Sequence, residues 1–216
     1  MFNKMKKLLS VGAVVASAAV LLTGCGGGSQ QASSSSGSAA QEISGKISAS
    51  GSTALLPLLK PAQEAFQDKY DKVTVNIAGG GSFTGMNQVA EGSVQIGNSD
   101  VNLPDEYKDK GLVDHKVVVE PFVFIVDKNN KVDNITKQQA IDILTGKITN
   151  WKEVGGDDQA ITLIHRAKSS GSRATIADVV LKGAAFTDNA VIQDSNGAVR
   201  AAIASTPGSI GYVDAP

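Results

Sequence analysis

Three segments rich in glycine and hydroxyl side chains stand directly before apolar, helix-like stretches: Ser50–Thr53, Gly79–Ser82 and Ser169–Ser172. A helix N-terminus presents unpaired backbone N–H groups and the positive end of the helix dipole, and glycine allows a ligand to approach the backbone. Each segment alone is better explained by helix capping and turn formation. The three together favour a site for a small anion.

Two charged residues could complete such a site. Arg166 ends an apolar stretch four residues before Ser170, and its guanidinium can bind an oxyanion with two parallel hydrogen bonds, although a surface ion pair fits the pattern equally well. Asp100 would repel an anion unless the anion has a proton to donate, as hydrogen phosphate does near neutral pH and sulfate does not. The alternative for Asp100 is a cap of the turn before Pro104.

The elements that position these residues alternate between short apolar strands and amphipathic helices. We predict strands at 46–49, 73–78, 95–97, 161–164 and 210–213, one bent strand or two within 117–126, and helices beginning near 53, 82, 136, 170 and 196. Such alternation predicts βαβ units and a mostly parallel sheet. Ligands of open α/β sheets bind at the carboxyl ends of the strands, where the three segments fall.

The N-terminal region has the features of an export signal. Residues 1–7 contain three lysines and no acid, and an uncharged stretch follows over residues 8–22. It is short for a membrane span, which needs about 20 apolar residues, although an uncleaved anchor is an alternative. The motif Leu22-Thr23-Gly24-Cys25 resembles the bacterial lipobox. We therefore predict a signal peptide at 1–24, lipidation of Cys25, a flexible linker at 25–41, and a place on the extracytoplasmic face of the cell membrane.

Composition excludes several other functions. Loss of residues 1–24 removes three lysines and no acid, so the formal net charge of −1 becomes −4. Because no basic block remains, we expect no nucleic-acid partner. No Gly-x-Ser-x-Gly or phosphate-loop motif occurs. The only histidines are His115 and His165, and His165 should point away from the face that Arg166 uses on the same strand. We expect neither an enzyme nor a bound metal or cofactor.

From about Ile43 to Tyr212 the chain resembles the phosphate-binding proteins of ABC importers, which are type II solute-binding proteins. The resemblance is carried by the three glycine- and serine-rich segments, Ile96–Asp100 and Arg166. Two further stretches match structural signatures of that family, namely Leu144–Trp151 with Gly155-Gly156, and Gly208–Val213. Ser172 stands where the family usually has threonine, and Lys168 where many members have an acid.

The resemblance implies two α/β lobes, mostly parallel, with the ligand cleft between them. It places the first lobe at 42–126, the second at 127–205 and a strand returning toward the first lobe at 206–216. Family members continue beyond this point, so we expect an incomplete first lobe. The ligand contacts carried over by position are Thr53, Ala54, Ser82, Asp100, Arg166, Ser170, Gly171 and Ser172.

The implied function is capture of inorganic phosphate by a monomeric lipoprotein that delivers it to an ABC permease in the membrane. Asp100 argues against fully deprotonated anions but does not separate phosphate from arsenate. Receptors for arsenate, molybdate or sulfate therefore remain alternatives, as does a surface interaction or signalling protein that has kept the fold and lost transport.

Overall fold

The computed structural model of the protein describes residues 42–215, which form two α/β lobes. The first lobe is built on a three-stranded parallel sheet in the order β2-β1-β3. Its elements are β1 (Gly45–Gly51), α1 (Leu56–Lys69), β2 (Val73–Gly79), α2 (Ser82–Ala90) and β3 (Ile96–Asn98). The strands run parallel because each helix returns the chain to the same end of the sheet. This part of the predicted βαβ alternation is confirmed.

The second lobe contains a four-stranded sheet in the order β4-β7-β5-β6. Its elements are β4 (Phe122–Val126), α3 (Lys137–Leu144), β5 (Thr162–Arg166), α4 (Gly171–Ile176), β6 (Val191–Gln193), α5 (Asn196–Ser205) and β7 (Ser209–Asp214). A π-helical turn, Ala177–Leu181, extends α4. β5 is parallel to β6 and to β7, whereas β4 is antiparallel to β7. The α/β class with mostly parallel sheets is thus confirmed.

The strand pairing differs from the sequence prediction at two places. Residues 122–126 were expected to close the first lobe and 206–216 to return toward it. Instead β4 and β7 pair with each other, and β7 also pairs with β5, so both belong to the second sheet. All six residues of β7 are buried, which suits a central strand covered on both faces. Residues 112–121, in which part of another strand was expected, form neither helix nor strand.

The largest apolar core lies in the second lobe. Ile143, Leu163, Ile210 and Tyr212 are buried together there. Trp151 is also in this core, and its indole N–H donates to the carbonyl of Gly208 at 2.9 Å. The core fixes the strand ends of the second sheet, and thereby the position of Arg166 at the end of β5.

His165 is a buried structural residue on β5. Its ring stacks on Phe186 with centroids 4.8 Å apart, and its Nδ1 lies 3.0 Å from Nη1 of Arg173. A guanidinium can only donate, so Nδ1 accepts and the imidazole is neutral with its proton on Nε2. Burial, and then the charge of Arg173, lowers the pKa of His165 to about 4.

This lowered pKa predicts an acid-sensitive contribution to stability. The contribution is present above pH 6.5, the ordinary histidine value, and is lost as the pH falls toward about 4. Between pH 7 and pH 5, the loss of this contribution should reduce the free energy of unfolding by about 2 kcal/mol. Urea unfolding of the wild type and of His165→Gln at both pH values measures the difference. His115→Gln, which removes an exposed histidine, is the matched control. An equal loss in the wild type and in His165→Gln would contradict the prediction.

Three sequence predictions fall outside the described residues. The signal peptide, the linker and Cys25 all lie before residue 42. Within residues 42–215, no helix combines the length and apolar character that crossing a membrane requires.

Candidate functional site

Three loops of the first lobe are tied together at the carboxyl ends of its strands. The N–H of Ser52 donates to the carbonyl of Asn98 at 2.9 Å, and the N–H of Gly81 donates to that of Gly51 at 2.9 Å. These bonds bring the loop after β1, the start of α2 and the loop after β3 to one place. Ser52 and Ser82 are both buried there.

Asp100 joins the two lobes through its carboxylate. One oxygen accepts from the hydroxyl of Ser52 in the first lobe, and the other accepts at 3.2 Å from the hydroxyl of Ser172 in the second. The N–H of Asp100 donates to Oγ of Ser82 at 3.0 Å. Burial raises the pKa of Asp100, while the hydrogen bonds from Ser52 and Ser172 and the charge of Arg166 oppose the rise. Asp100 is therefore central to the site.

Arg166 is a buried cation that forms no salt bridge with a carboxylate within residues 42–215. Its side chain donates from Nε to the carbonyl of Gln193 at 3.3 Å and from Nη2 to that of Asp194 at 3.0 Å. Nη1 is buried and, within residues 42–215, makes no hydrogen bond. Burial lowers the pKa of Arg166, and the charge of Asp100 opposes this. The residue is 1% exposed, so the alternative of a surface ion pair is wrong.

The segment after β5 brings the second lobe directly onto the first. Ser170 caps α4, since its hydroxyl accepts from the N–H of Arg173 at 3.2 Å. The carbonyl of Ser169 accepts from the N–H of Phe83 at 3.1 Å. Gly81, with φ of 94°, has no room for a Cβ because that atom would overlap the same carbonyl of Ser169. A glycine is therefore required where the two lobes meet.

Thr53 and Ala54 already have partners within the protein. The N–H of Ala54 donates to Oγ of Ser52 at 3.0 Å. Oγ1 of Thr53 accepts from the backbone N–H of Asn196 at 3.2 Å and from its side-chain amide at 3.4 Å. Asn196 was not among the residues singled out from the sequence. Its sequence signal is that of a helix start, and nothing in it indicates a contact with Thr53.

Two further acids near the site were also missed. Asp214, at the end of β7, is 3% exposed, and its Oδ1 is buried without a hydrogen-bond partner within residues 42–215. Glu120 has a raised pKa, first because of burial and then because of the charges of Asp214 and Asp100. The charges of Asp100, Asp214 and Asp194 act on the guanidinium of Arg166, but none of them forms a salt bridge with it within residues 42–215.

The predicted residues therefore meet at one buried place between the lobes. Asp100 contacts three serines. Thr53 contacts Asn196, which lies two residues after Asp194, a backbone partner of Arg166. The chemistry available is hydroxyl and amide donors, the Nη1 group of Arg166, which makes no hydrogen bond within residues 42–215, and the carboxylate of Asp100. Such an arrangement can bind a small oxyanion that carries a proton.

Gly171 tests whether contact between the lobes is needed for binding. A Cβ on Gly171 would lie 2.9 Å from Cβ of Ser82 and 3.0 Å from Cβ of Asp100, and closer still to the Ser82 hydroxyl. Gly171→Ala should therefore hold the lobes apart and weaken anion binding about tenfold or more, as overpacking costs roughly 1–3 kcal/mol.

The matched control for Gly171→Ala is Gly197→Ala in the first turn of α5. Its added Cβ meets only Oγ of Ser195, at 3.9 Å. Both variants are titrated with phosphate by calorimetry and unfolded with urea. Unchanged affinity in Gly171→Ala would mean that the anion does not require this contact.

A sequence profile described as the PBP superfamily domain matches residues 33–216. Phosphate-binding protein PstS of Bacillus subtilis is 43% identical over 175 residues, covering 80% of this chain and 58% of that protein. The PstS of Borreliella burgdorferi is 32% identical over 77% of this chain and 62% of its own length. The chain thus spans about three fifths of the length of these two relatives.

Solved structures that resemble this chain are also described as phosphate transport proteins. A putative phosphate ABC transporter substrate-binding protein with bound phosphate, from Clostridium perfringens, superposes with a TM-score of 0.76 at 35% identity. The superposition covers 79% of this chain and 70% of that one. A phosphate transport receptor from Vibrio cholerae, at 24% identity with a TM-score of 0.58, shares the fold.

Proposed function

Because this chain belongs to the PBP superfamily, we propose that it is an exported binding protein that captures inorganic phosphate. The relatives in Bacillus subtilis and Borreliella burgdorferi are named phosphate-binding proteins, and the similar structure from Clostridium perfringens has phosphate bound. We propose that this chain binds phosphate at the place where its two lobes meet, through Thr53, Ala54, Ser82, Asp100, Arg166, Ser170, Gly171 and Ser172.

The observation that carries the proposal is the buried guanidinium of Arg166. It is 1% exposed, and its Nη1 has no hydrogen-bond partner within residues 42–215. A buried charge is costly unless it is paired and hydrogen-bonded. An oxyanion between the lobes would supply both the countercharge and the acceptor.

The hydroxyls of Ser82 and Ser170 and backbone N–H groups provide remaining contacts, and Ser172 joins them by turning its single proton from Asp100 to the anion. Ser82, Ser170 and Ser172 are almost fully buried, so a bound anion would be removed from water. Hydrogen bonds to a charged group contribute about 1.5–3 kcal/mol each, and micromolar affinity requires about 8 kcal/mol. Four or more such bonds are sufficient, with the remainder offsetting ion desolvation and the ordering of the lobes.

Asp100 favours phosphate over sulfate. Its carboxylate accepts from Ser52 and Ser172, and each oxygen keeps a lone pair for a proton on the ligand. Hydrogen phosphate and hydrogen arsenate carry such a proton, whereas sulfate and molybdate do not at neutral pH. Arsenate is therefore the second candidate ligand.

Isothermal titration of the purified chain with phosphate, arsenate, sulfate and molybdate tests the assignment. The expected result is micromolar or tighter binding of phosphate, comparable binding of arsenate and no measurable binding of sulfate or molybdate. If none of the four anions binds, the proposal is wrong, and a surface interaction or signalling protein on the same fold becomes the better description.

Delivery to an ABC permease is the transport role that we propose for the loaded protein. The similar protein from Clostridium perfringens is a putative phosphate ABC transporter substrate-binding protein. In this role the chain acts as a monomer, binds phosphate without transforming it and needs no cofactor. Phosphate uptake by cells in which the gene has been deleted, with and without the plasmid-borne chain, tests the role.

We also propose that Cys25 is lipidated and holds the protein on the outer face of the cell membrane. The support is the sequence Leu22-Thr23-Gly24-Cys25 after a basic and then apolar N-terminus. Cys25→Ser should leave the precursor uncleaved or release the protein into the medium. Metabolic labelling with a fatty acid and fractionation of cells measure both effects. Equal, salt-resistant membrane retention of the variant would exclude a lipid anchor.

A further inference from the structure

Asn196 makes a hydrogen-bonded contact between the lobes that capping of its helix does not explain. It is the first residue of α5 and is 2% exposed. The cap of α5 is Ser195, whose hydroxyl accepts from the N–H of Ala198 at 3.0 Å. Asn196 instead donates to one atom of the first lobe, Oγ1 of Thr53, from its backbone N–H at 3.2 Å and from its side-chain amide at 3.4 Å.

The two hydrogen bonds from Asn196 determine whether the Thr53 hydroxyl can act as a donor or as an acceptor. A threonine oxygen has two lone pairs and one proton. When Asn196 occupies both lone pairs, Thr53 can take part in further bonding only as a donor. A donor is what an oxyanion requires, whereas a hydroxyl with a free lone pair could turn its proton elsewhere.

The position of Asn196 is itself set by Arg166. The guanidinium donates to the carbonyls of Gln193 and Asp194, at 3.3 Å and 3.0 Å. Those residues directly precede the cap of α5. One short segment therefore holds the cation of the proposed site at one end and orients Thr53 at the other.

We propose that Asn196 is a positioning residue of the anion site. It fixes the Thr53 hydroxyl as a hydrogen-bond donor to the bound oxyanion once the lobes have come together. This inference rests on the proposed function, and it adds a residue of the second lobe that acts on the ligand through a residue of the first. Because the contact exists only when the lobes meet, its loss should appear mainly as faster release of phosphate.

Two variants remove the donors of Asn196 in steps. Asn196→Ala removes the side-chain donor and keeps the backbone N–H. Asn196→Pro removes both. Proline is favoured at the first position of a helix, and Ser195, with φ of −144° and ψ of 157°, already has the extended conformation that a following proline requires. The matched control is Lys137→Pro, at the first position of α3 after Thr136 with φ of −70° and ψ of 160°.

The expected weakening of phosphate binding is about fivefold for Asn196→Ala and about 20-fold for Asn196→Pro. Lys137→Pro should stay within twofold of the wild type. A double-mutant cycle separates positioning from mere stabilisation of α5. In a Thr53→Val background, which has no hydroxyl to orient, Asn196→Pro should cost less than a further twofold.

Each outcome of the cycle supports or overturns the inference. Wild-type affinity in Asn196→Pro overturns it, and so does an equal loss in the presence and absence of the Thr53 hydroxyl. Should Asn196→Pro fail to unfold cooperatively in urea, the same cycle with Asn196→Ala decides, with a loss below twofold counting against the inference. Absence of phosphate binding in the wild type is a different result, since it removes the proposed function itself.

Discussion

Replacing Arg166 with alanine is expected to weaken phosphate binding by about 30- to 5,000-fold, corresponding to a loss of roughly 2–5 kcal/mol. Arg166 is buried, and its Nη1 is directed to no acceptor within residues 42–215. In the variant, the anion would enter a desolvated place beside Asp100 without its main countercharge. Titration calorimetry measures the loss directly.

Two comparisons make the Arg166 experiment specific. Arg200→Ala removes an exposed arginine of α5 and should leave the affinity unchanged, apart from a small long-range effect screened by salt. Arg166→Lys keeps the charge but loses the planar fork, so its affinity should fall between those of the wild type and Arg166→Ala. A loss below tenfold in Arg166→Ala would mean that Arg166 is peripheral to the ligand.

The sequence predicted that these residues lie close together because they follow strand ends. Ser82, Asp100 and Arg166 each stand at a junction between a strand and the next element, and a parallel sheet brings such junctions to one edge. What the sequence left open for Arg166 was its environment. A surface ion pair and a buried anion contact have the same local pattern, and only the packing around β5 distinguishes them.

The missed parts of the site depend on contacts between distant segments. Asn196 and Thr53 are 143 positions apart, and a helix-start pattern carries no information about such a partner. Asp214 closes a strand that the sequence predicted correctly as a strand. The resemblance placed this strand with the first lobe, whereas β7 pairs with β4 and β5, because tertiary packing and not the local pattern decides which sheet a short strand joins.

The selectivity of the site should depend on Asp100. Its carboxylate accepts from the hydroxyls of Ser52 and Ser172, so an anion beside it must donate a proton of its own or face an unpaired acceptor. A site with a buried polar group left unpaired can reject an analogue by about 10⁴–10⁵. Wild-type protein should therefore exclude sulfate to this degree at neutral pH. Competition of sulfate against labelled phosphate measures the ratio.

Asp100→Asn should reduce this discrimination, because an amide can donate as well as accept. The variant is expected to bind sulfate measurably and to keep much of its phosphate affinity. Asp105→Asn, at an exposed carboxylate of the first lobe, is the matched control and should exclude sulfate as the wild type does. Comparable binding of sulfate and phosphate by the wild type would mean that Asp100 does not select the anion. The identity of the bound oxyanion would then be open.

The pH dependence of the same competition tests whether the ionised form of the Asp100 carboxylate is what excludes sulfate. Burial raises the pKa of Asp100, so its carboxylate takes up a proton at a higher pH than an ordinary aspartate does. Once protonated, Asp100 can donate to sulfate, and the exclusion of sulfate by the wild type should weaken as the pH falls through that raised value. Asp100→Asn has no such group to titrate, and its sulfate affinity should change much less over the same interval. A parallel change in both proteins would place the titrating group elsewhere, with Glu120 as the next candidate, since burial and the charges of Asp214 and Asp100 raise its pKa too.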